Sequence, residues 1–410
     1  MRSTTDVLPA PPAARTRTRL DYLDGVRAVA ALYVVLHHIW ITTYPDYPRN
    51  TGPMAVGWLL YGHVAVAVFI VVSGFSLSIA PARRGWHLTG GVRTFLRRRA
   101  WRILPTYWAA LALSCVVFAL VTPSLTSDKV SLKAIVVHGL LLQDVINSPK
   151  PNGAFWSIAV EWQIYFLFPL LLLLRRRIGP AWLMASVTSA IVVGYLAATH
   201  VAPLHRLLNL TPQFVALFVF GIAAAGVVNR TGEPRLRWGW PLAGAALGAA
   251  FVLLCVLRGS VWVDAQYFWV DLLVGGGTAA ALRGLASGRP RWLYRVLAGR
   301  FLRGTGLFSY SIYCVHLPLL WLVWHFVVVR FDLSTGGSFL ALLGLGMPVA
   351  YAGSYLFSRV FERPFLTHRS FAALRDLLLG ALRRPRPAQA GTVAGEPMTM
   401  IAREFFRPGP

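Results

Sequence analysis

Residues 56–80 read VGWLLYGHVAVAVFIVVSGFSLSIA, a run of 25 positions without Asp, Glu, Lys or Arg. A helix needs about 20 mostly apolar residues to cross the hydrocarbon core of a bilayer. A run of this length and composition is typical of a transmembrane helix. The stretch therefore predicts an integral membrane protein.

The composition of the whole chain agrees with this prediction. Hydrophobic residues make up 56% of the 410 positions and charged residues 13%, against about 25% charged in soluble domains. The net charge of +25 could indicate a nucleic-acid partner. The arginines, however, lie in short segments between apolar runs, which is how membrane proteins fix their orientation. We therefore predict a lipid bilayer and no nucleic acid as partner. The Arg, Ala and Gly usage is typical of a GC-rich bacterial genome and so predicts a bacterial plasma membrane.

Further apolar runs predict an all-α, polytopic helical bundle of about ten transmembrane helices. The stretch Ser131–Ile146 is ambiguous, because its apolar part is short and contains ionisable residues. We interpret it as an interfacial or re-entrant helix. The ten predicted spans are 24–43, 56–80, 103–122, 155–174, 181–199, 211–228, 238–257, 266–283, 305–328 and 338–361.

The distribution of positive charge predicts the orientation. With the N-terminus inside, the internal segments hold 33 of the 40 Lys and Arg residues. Cytoplasmic loops carry such an excess, so both termini are predicted to be cytoplasmic. The domain prediction is a disordered cytoplasmic arm (1–19), a membrane domain (20–366), an amphipathic cytoplasmic helix (367–384) and a disordered tail (385–410).

Ionisable side chains at membrane depth are functional candidates, because lipid offers them no partner. Arg27 and His38 are eleven residues apart, which is three helical turns plus roughly 20° and about 16 Å along the axis. They therefore share one helix face. The alternative is that Arg27 anchors the inner end and His38 is a hydrogen-bonded residue inside the bundle.

Glu161 lies some six residues from the outer end of the fourth predicted span, and His38 about five from the outer end of the first. Both would sit roughly 8–9 Å below the outer boundary. The equal depth predicts that the two side chains meet. A carboxylate can orient an imidazole and stabilise its protonated form.

Other polar residues are weaker candidates. Arg99 and Arg102 begin the third span and could hold phosphates, although both could be simple anchors. His316 lies near mid-membrane, with Tyr313 one turn below. It could be a site residue or a structural histidine. Pro318 can kink their helix and free carbonyl groups, and Ser73-Gly74 allows a close backbone approach. For Asp271 both interpretations, a site residue and a structural residue of the bundle, stay open.

Several motifs resemble acyltransferase family 3, the integral membrane O-acyltransferases. They occur in family order over roughly residues 20–366. They are Leu23-Asp24-Gly25-Val26-Arg27 with His38, Val71-Val72-Ser73-Gly74-Phe75, Arg99-Ala100-Trp101-Arg102-Ile103-Leu104-Pro105, Trp156-Ser157-Ile158-Ala159-Val160-Glu161, Ser309-Tyr310-Ser311-Ile312-Tyr313 with His316, and Phe361-Glu362-Arg363-Pro364-Phe365.

The resemblance implies transfer of an acyl group, often acetyl, from a coenzyme A thioester to a hydroxyl of a sugar, glycan or natural product. The family's arginine and histidine pair corresponds to Arg27 and His38, and its Arg-x-x-Arg element to Arg99 and Arg102. Trp162 departs from the family pattern, where a second acidic or small polar residue is common.

The residues and the resemblance together give one functional prediction. Acyl-CoA, expected to be acetyl-CoA, is the co-substrate, and no metal is implied, because no residues have metal-ligand spacing. A transporter or flippase for a lipid-linked sugar or exported small molecule is the alternative, although no repeat or pair of interrupted helices supports it. The predicted catalytic residues are His38 and Glu161, the cofactor-binding residues Arg27, Arg99 and Arg102, and the substrate-binding residues Ser73, Ser157, Tyr313 and His316.

Overall fold

The computed structural model describes residues 20–121, 131–146, 148–229 and 238–367. The described part is all-helical and contains no strand, as predicted. The terminal segments 1–19 and 368–410 lie outside these residues, so the predicted arm, amphipathic helix and tail stay predictions.

The α-helices are α1 (Asp21–Thr43), α2 (His63–Ala82), α3 (Gly91–Val121), α4 (Leu132–Gly139), α5 (Trp156–His200), α6 (Gln213–Ala225), α7 (Gly239–Ala265), α8 (Tyr267–Ala286), α9 (Arg291–Leu297), α10 (Arg300–Gly306), α11 (Ser309–Phe326), α12 (Thr335–Ala341), α13 (Met347–Phe361) and α14 (Arg363–Thr367).

Seven helices in the described part are long and apolar enough to cross a membrane. The number becomes eight if the bent pair Ala202–Leu210 and Gln213–Val228 forms one span. The chain is therefore a multi-pass membrane protein. The helix α4, within the ambiguous stretch, has 8 residues and a length of about 12 Å. It is too short to cross the bilayer, in agreement with an interfacial or re-entrant helix.

The helix α2, which contains the run quoted first, is the centre of the bundle. About two thirds of its most apolar window is buried, whereas none of the corresponding window of α7 is. Its closest neighbour is α6. A Cβ atom on Gly74 would overlap the carbonyl oxygen of Phe218, and one on Gly221 would overlap that of Val71. Two glycines thus let the backbones of α2 and α6 touch, which confirms the close approach predicted from Ser73-Gly74.

The contact between α2 and α6 leads to a stability prediction. Gly221→Ala should lower the apparent melting temperature in detergent by several degrees, because its methyl group would meet main-chain atoms that no rotamer change can move. Overpacking of this kind costs about 1–3 kcal/mol. Gly248→Ala on α7 is the matched control, since nothing lies within 4 Å of its Cβ position. Equal melting of the two variants would contradict the close packing.

A second close contact fixes the start of α1. A Cβ atom on Gly25 would overlap the carbonyl oxygen of Leu297, and one on Gly306 would overlap that of Asp24. The end of α9 and the end of α10 therefore press directly on the backbone of α1. This contact lies within three residues of Arg27, so it sets the position of that guanidinium.

Candidate active site

A cavity of about 400 Å³ lies between α1, α2, α3, α5 and α11. Its charged lining residues are Asp24, Arg27, Arg99, Arg102 and Glu161. Hydroxyl groups also line it, including those of Ser73, Ser76, Ser157, Tyr165, Tyr310 and Tyr313. Seven of the nine site residues predicted from the sequence line this cavity, and the other two, His38 and His316, do not.

We call the end of the bundle that holds Arg27, Arg99 and Arg102 the basic end. Arg27 Nη2 donates to Ser76 Oγ at 2.9 Å and Nη1 to Asp24 Oδ1 at 3.2 Å. Arg102 is exposed and reaches the protein surface. The three guanidinium groups lie within electrostatic range of one another. Such a cluster suits a ligand that carries several phosphates.

Glu161 projects into this basic end. Tyr165, one turn further along α5, donates to Glu161 Oε1 at 2.5 Å. The Tyr165 hydroxyl is in turn 3.2 Å from Ser73 Oγ on α2. The Glu161 carboxylate also lies within electrostatic range of Arg27 and Arg99. It therefore offsets part of the positive charge in the cavity.

Beyond the cavity, on the line from Arg27 through Tyr313, lie His38 and His316, which we call the histidine end. His316 Nε2 is 3.2 Å from His38 Nδ1, and the two ring centroids are 4.8 Å apart. Tyr313, one turn before His316, is 2.5 Å from Ser157 through their hydroxyl oxygens. The structure therefore brings His38, His316, Tyr313 and Ser157 together.

The sequence predicted a contact between the side chains of His38 and Glu161, but the described residues do not form it. Ser157 lies at the level of Tyr313, which is three residues, or about 4.5 Å, from His316. Glu161 is four residues further along α5, about 6 Å deeper. The carboxylate is therefore about 10 Å towards the basic end from the His316 level. The depth estimate failed because α5 enters the bundle below the level assumed from its sequence.

Asn152 holds the two helices at this offset, and the sequence analysis missed it. The amide Nδ2 donates to the carbonyl oxygen of Cys314 at 3.1 Å, while Oδ1 accepts from Ala154 N at the entrance to α5. Cys314 has this carbonyl free because Pro318, four residues later, has no N–H. The prediction that Pro318 frees a carbonyl is confirmed. A search for a polar residue to meet that carbonyl could have found Asn152.

Asp271 is paired, but not with the predicted site residues. Its Oδ2 accepts from Gln213 Nε2 and is paired with His63 Nε2, both at 3.1 Å. The ring of His63 stacks on Tyr267 with centroids 3.8 Å apart. Asp271 is fully buried, and this network joins α2, α6 and α8.

The motif that ends α13 supports the basic end. Ser311 donates to Glu362 Oε2 at 2.5 Å. Burial raises the pKa of the Glu362 carboxyl, against the opposing effects of the Ser311 hydrogen bond and the Arg102 charge. Thr106 donates to the carbonyl oxygen of Phe361 at 2.8 Å. These bonds hold α3 and α11 to the end of α13, so they fix the helix that carries Arg99 and Arg102.

In the described ranges, no three His, Cys, Asp or Glu residues lie close enough to hold a metal ion. The groups that can act on a substrate are the imidazoles at the histidine end and the hydroxyls and charges of the cavity. Imidazoles at one end and guanidinium groups at the other suit a long ligand that is anionic at one end.

Comparison with known proteins adds independent information. The family model described as "Acyltransferase domain" matches residues 20–359. The chain is 27% identical over 323 residues to acyltransferase MdmB of Streptomyces mycarofaciens, covering 74% of this chain and 79% of the relative. No solved structure matches.

Other relatives are longer than the matched region. YrhL of Bacillus subtilis (strain 168) is 26% identical over 324 residues, covering 73% of this chain and 48% of the relative. Peptidoglycan O-acetyltransferase OatA of Listeria monocytogenes serovar 1/2a (strain ATCC BAA-679 / EGD-e) is 23% identical over 340 residues, covering 74% of this chain and 50% of the relative. The chain spans about half the length of these two proteins.

Proposed function

The chain belongs to the acyltransferase family whose model it matches over residues 20–359, and from this premise we propose that it transfers an acyl group from acyl-CoA to a hydroxyl group. The expected donor is acetyl-CoA, and the acceptor is a sugar, a glycan or a glycosylated natural product. Family membership makes the chain a membrane enzyme, so the transporter or flippase alternative is set aside. The single observation that carries the proposal is a cavity lined by three arginines and, further along, by Ser157 and Tyr313, with the His38–His316 pair one turn beyond Tyr313.

The donor binds with its phosphates at the basic end. Arg102 is exposed at the surface, and Arg27 and Arg99 line the cavity behind it. Guanidinium groups bind phosphate through paired, charge-assisted hydrogen bonds. The pantetheine arm then lies along the cavity, and the thioester arrives near Tyr313. Three phosphates cannot enter the hydrocarbon core, so the charged end of the donor stays at the surface.

His38 is the general base. Its imidazole removes the proton from the acceptor hydroxyl, and the oxygen attacks the thioester carbonyl carbon. The carbon–sulfur bond breaks, and the leaving thiolate takes the proton from the imidazolium. The products are the O-acyl ester and free coenzyme A. Ser73, Ser157 and Tyr313 supply hydroxyl groups along the path of the substrates.

Glu161 assists at a distance from His38. Its carboxylate is held by Tyr165 and lies near Arg27 and Arg99. It keeps the two guanidinium groups extended towards the donor and reduces their mutual repulsion. The assistance proposed for Glu161 is therefore donor positioning, without a direct hydrogen bond to the base.

We propose ten spans and an orientation with both termini in the cytoplasm of a bacterium. The helix α5 has 45 residues and breaks at Gly179, whose φ is 80°. At about 68 Å it is more than twice the hydrocarbon thickness of about 30 Å, so it supplies two spans. The short α6 and the 20-residue α8 supply two more beyond those recognised by length and composition. Residues 20–366 then form one membrane domain with the basic end inside.

The test uses membranes that contain the full chain and acetyl-CoA labelled in the acetyl group. Glycan, lipid and small-molecule fractions are then separated and counted. We expect label in a fraction that carries hydroxylated sugars, released by mild base as an ester. Membranes without the chain are the control. Label no higher than in that control, with acceptor-bearing fractions of the host present, would overturn the proposal.

A further inference from the structure

His316 has contacts that set it apart from the other site residues. Its side chain is fully buried, and its ring is not among the groups that line the cavity. Its Nδ1 lies 2.8 Å from the carbonyl oxygen of Ile312, and its Nε2, on the other side of the ring, contacts His38. The sequence analysis assigned His316 to substrate binding, whereas these contacts point to a role through His38.

The hydrogen-bond partners fix the proton positions in both rings. His38 Nδ1 is 2.9 Å from the carbonyl oxygen of Val34, and His316 Nδ1 is 2.8 Å from that of Ile312. A carbonyl oxygen only accepts hydrogen bonds. Each Nδ1 therefore carries the hydrogen of its neutral ring, and each Nε2 carries a lone pair.

This assignment agrees with the contact between the rings. His316 Nε2, with its lone pair, faces His38 Nδ1–H at 3.2 Å. The hydrogen on His38 Nδ1 is thus shared between the Val34 carbonyl and His316. No described residue forms a hydrogen bond with His38 Nε2, so its lone pair is left for the acceptor hydroxyl.

We propose that His316 is a positioning residue that holds His38 with Nε2 as the base and accepts from Nδ1–H when His38 becomes an imidazolium. The inference rests on the proposed function, since it concerns the base of that reaction. In hydrolytic triads a carboxylate accepts this hydrogen bond from the Nδ1–H of the histidine. Here a neutral imidazole accepts the hydrogen bond, which avoids placing a second charge in the buried part of the bundle.

The geometry favours His316 over Glu161 for this role. His316 is in hydrogen-bond contact with His38, whereas Glu161 is held by Tyr165 about two helical turns closer to the basic end. The position of His316 is itself fixed by the Asn152 bond to α11 and by the Tyr313–Ser157 contact. Both contacts hold the turn of α11 that precedes His316.

The kinetic test compares two substitutions of one residue. His316→Gln places an amide oxygen near the position of Nε2 and so keeps an acceptor, whereas His316→Leu keeps volume and removes the acceptor. We expect His316→Leu to lower kcat by about 10- to 150-fold, as for loss of one hydrogen bond to a charged group. The KM values of both substrates should change little. His316→Gln should stay within a few-fold of the wild type.

His325→Leu is the matched control, because His325 is on the same helix and its described contact is a ring contact with Phe326. We expect it to leave kcat unchanged. If His316 binds substrate, both His316 variants should have a raised KM. If its role is only structural, both variants should lose activity and melting temperature together, and His316→Gln should restore neither. Wild-type kcat in a folded His316→Leu would also overturn the proposal.

A spectroscopic measurement tests the inference without relying on activity. The wild-type chain, with ¹⁵N-labelled histidine, is reconstituted in nanodiscs, and the His38 signals are assigned by their loss in His38→Ala. We expect His38 Nδ1 protonated and Nε2 unprotonated, with a through-bond or dipolar correlation to His316 Nε2. The opposite tautomer would overturn the inference. If the wild type transfers no acyl group, the proposed function fails while this measurement still decides the role of His316.

Discussion

Replacing His38 with Ala is expected to lower acyl transfer by about 10²–10⁴-fold, the usual effect of removing a general base. The loss should appear in kcat, because His38 lies beyond the cavity that binds the donor and is not among its lining residues. His316 is not expected to replace His38 as the base, because the His316 ring is fully buried whereas the His38 ring is partly exposed.

The measurement is the initial rate of label transfer at saturating acetyl-CoA in nanodiscs, together with the melting temperature of each variant. His200→Ala is the control, because His200 is exposed at the end of α5 and lies outside the site. It should keep full activity. If His38→Ala transfers acyl groups at near the wild-type rate, another residue is the base and the mechanism proposed above is wrong.

Arg102→Ala is expected to raise the KM for acyl-CoA by about 10-fold or more, with a smaller change in kcat. Arg102 is the exposed arginine of the basic end, and its charge acts on the buried carboxyl of Glu362 and on Arg27. Loss of one hydrogen bond to a charged group costs about 1.5–3 kcal/mol. Because Arg102 is exposed to solvent, we expect the lower end of this range. Arg102→Lys should restore part of the affinity, since it keeps the charge but loses the forked geometry.

Arg97→Ala is the matched control on the same helix. Arg97 is also exposed, but it does not line the cavity. Titration of acetyl-CoA against both variants separates a specific phosphate contact from a general loss of positive charge. Equal KM values for Arg102→Ala and Arg97→Ala would make Arg102 a topology anchor and would remove the donor route from the proposal.

The sequence predicted best what depends on a single helix. Arg27 and His38 lie along one face of α1 because helical rise and rotation are the same in every α-helix. The sequence likewise predicted that Pro318 frees carbonyl groups, and the structure shows that of Cys314 bonded to Asn152. The long apolar runs also predicted an all-helical membrane protein without reference to any tertiary contact.

Relations between helices were predicted less well. Placing Glu161 beside His38 required the level of α5 relative to α1. The observed start of α5 at Trp156 agrees with the predicted boundary, yet Glu161 lies about two turns closer to the basic end than His316. The contact of His38 with His316 depends on how α1 and α11 are aligned, which no periodicity within either helix contains. Asn152 was missed for a similar reason, since its partners, Ser114 and Cys314, belong to α3 and α11.

The glycines at the start of α1 have a consequence for how substitutions would be tolerated. Gly25 and Gly306 have no side chain that could touch a substrate, yet neither can accept a methyl group without displacing the backbone next to Arg27. In a library of all single substitutions selected for acyl transfer, both positions should be almost as intolerant as the arginine itself. A screen that equates intolerance with chemistry would count Gly25, which does not line the cavity, as an active-site residue where there is only a backbone support.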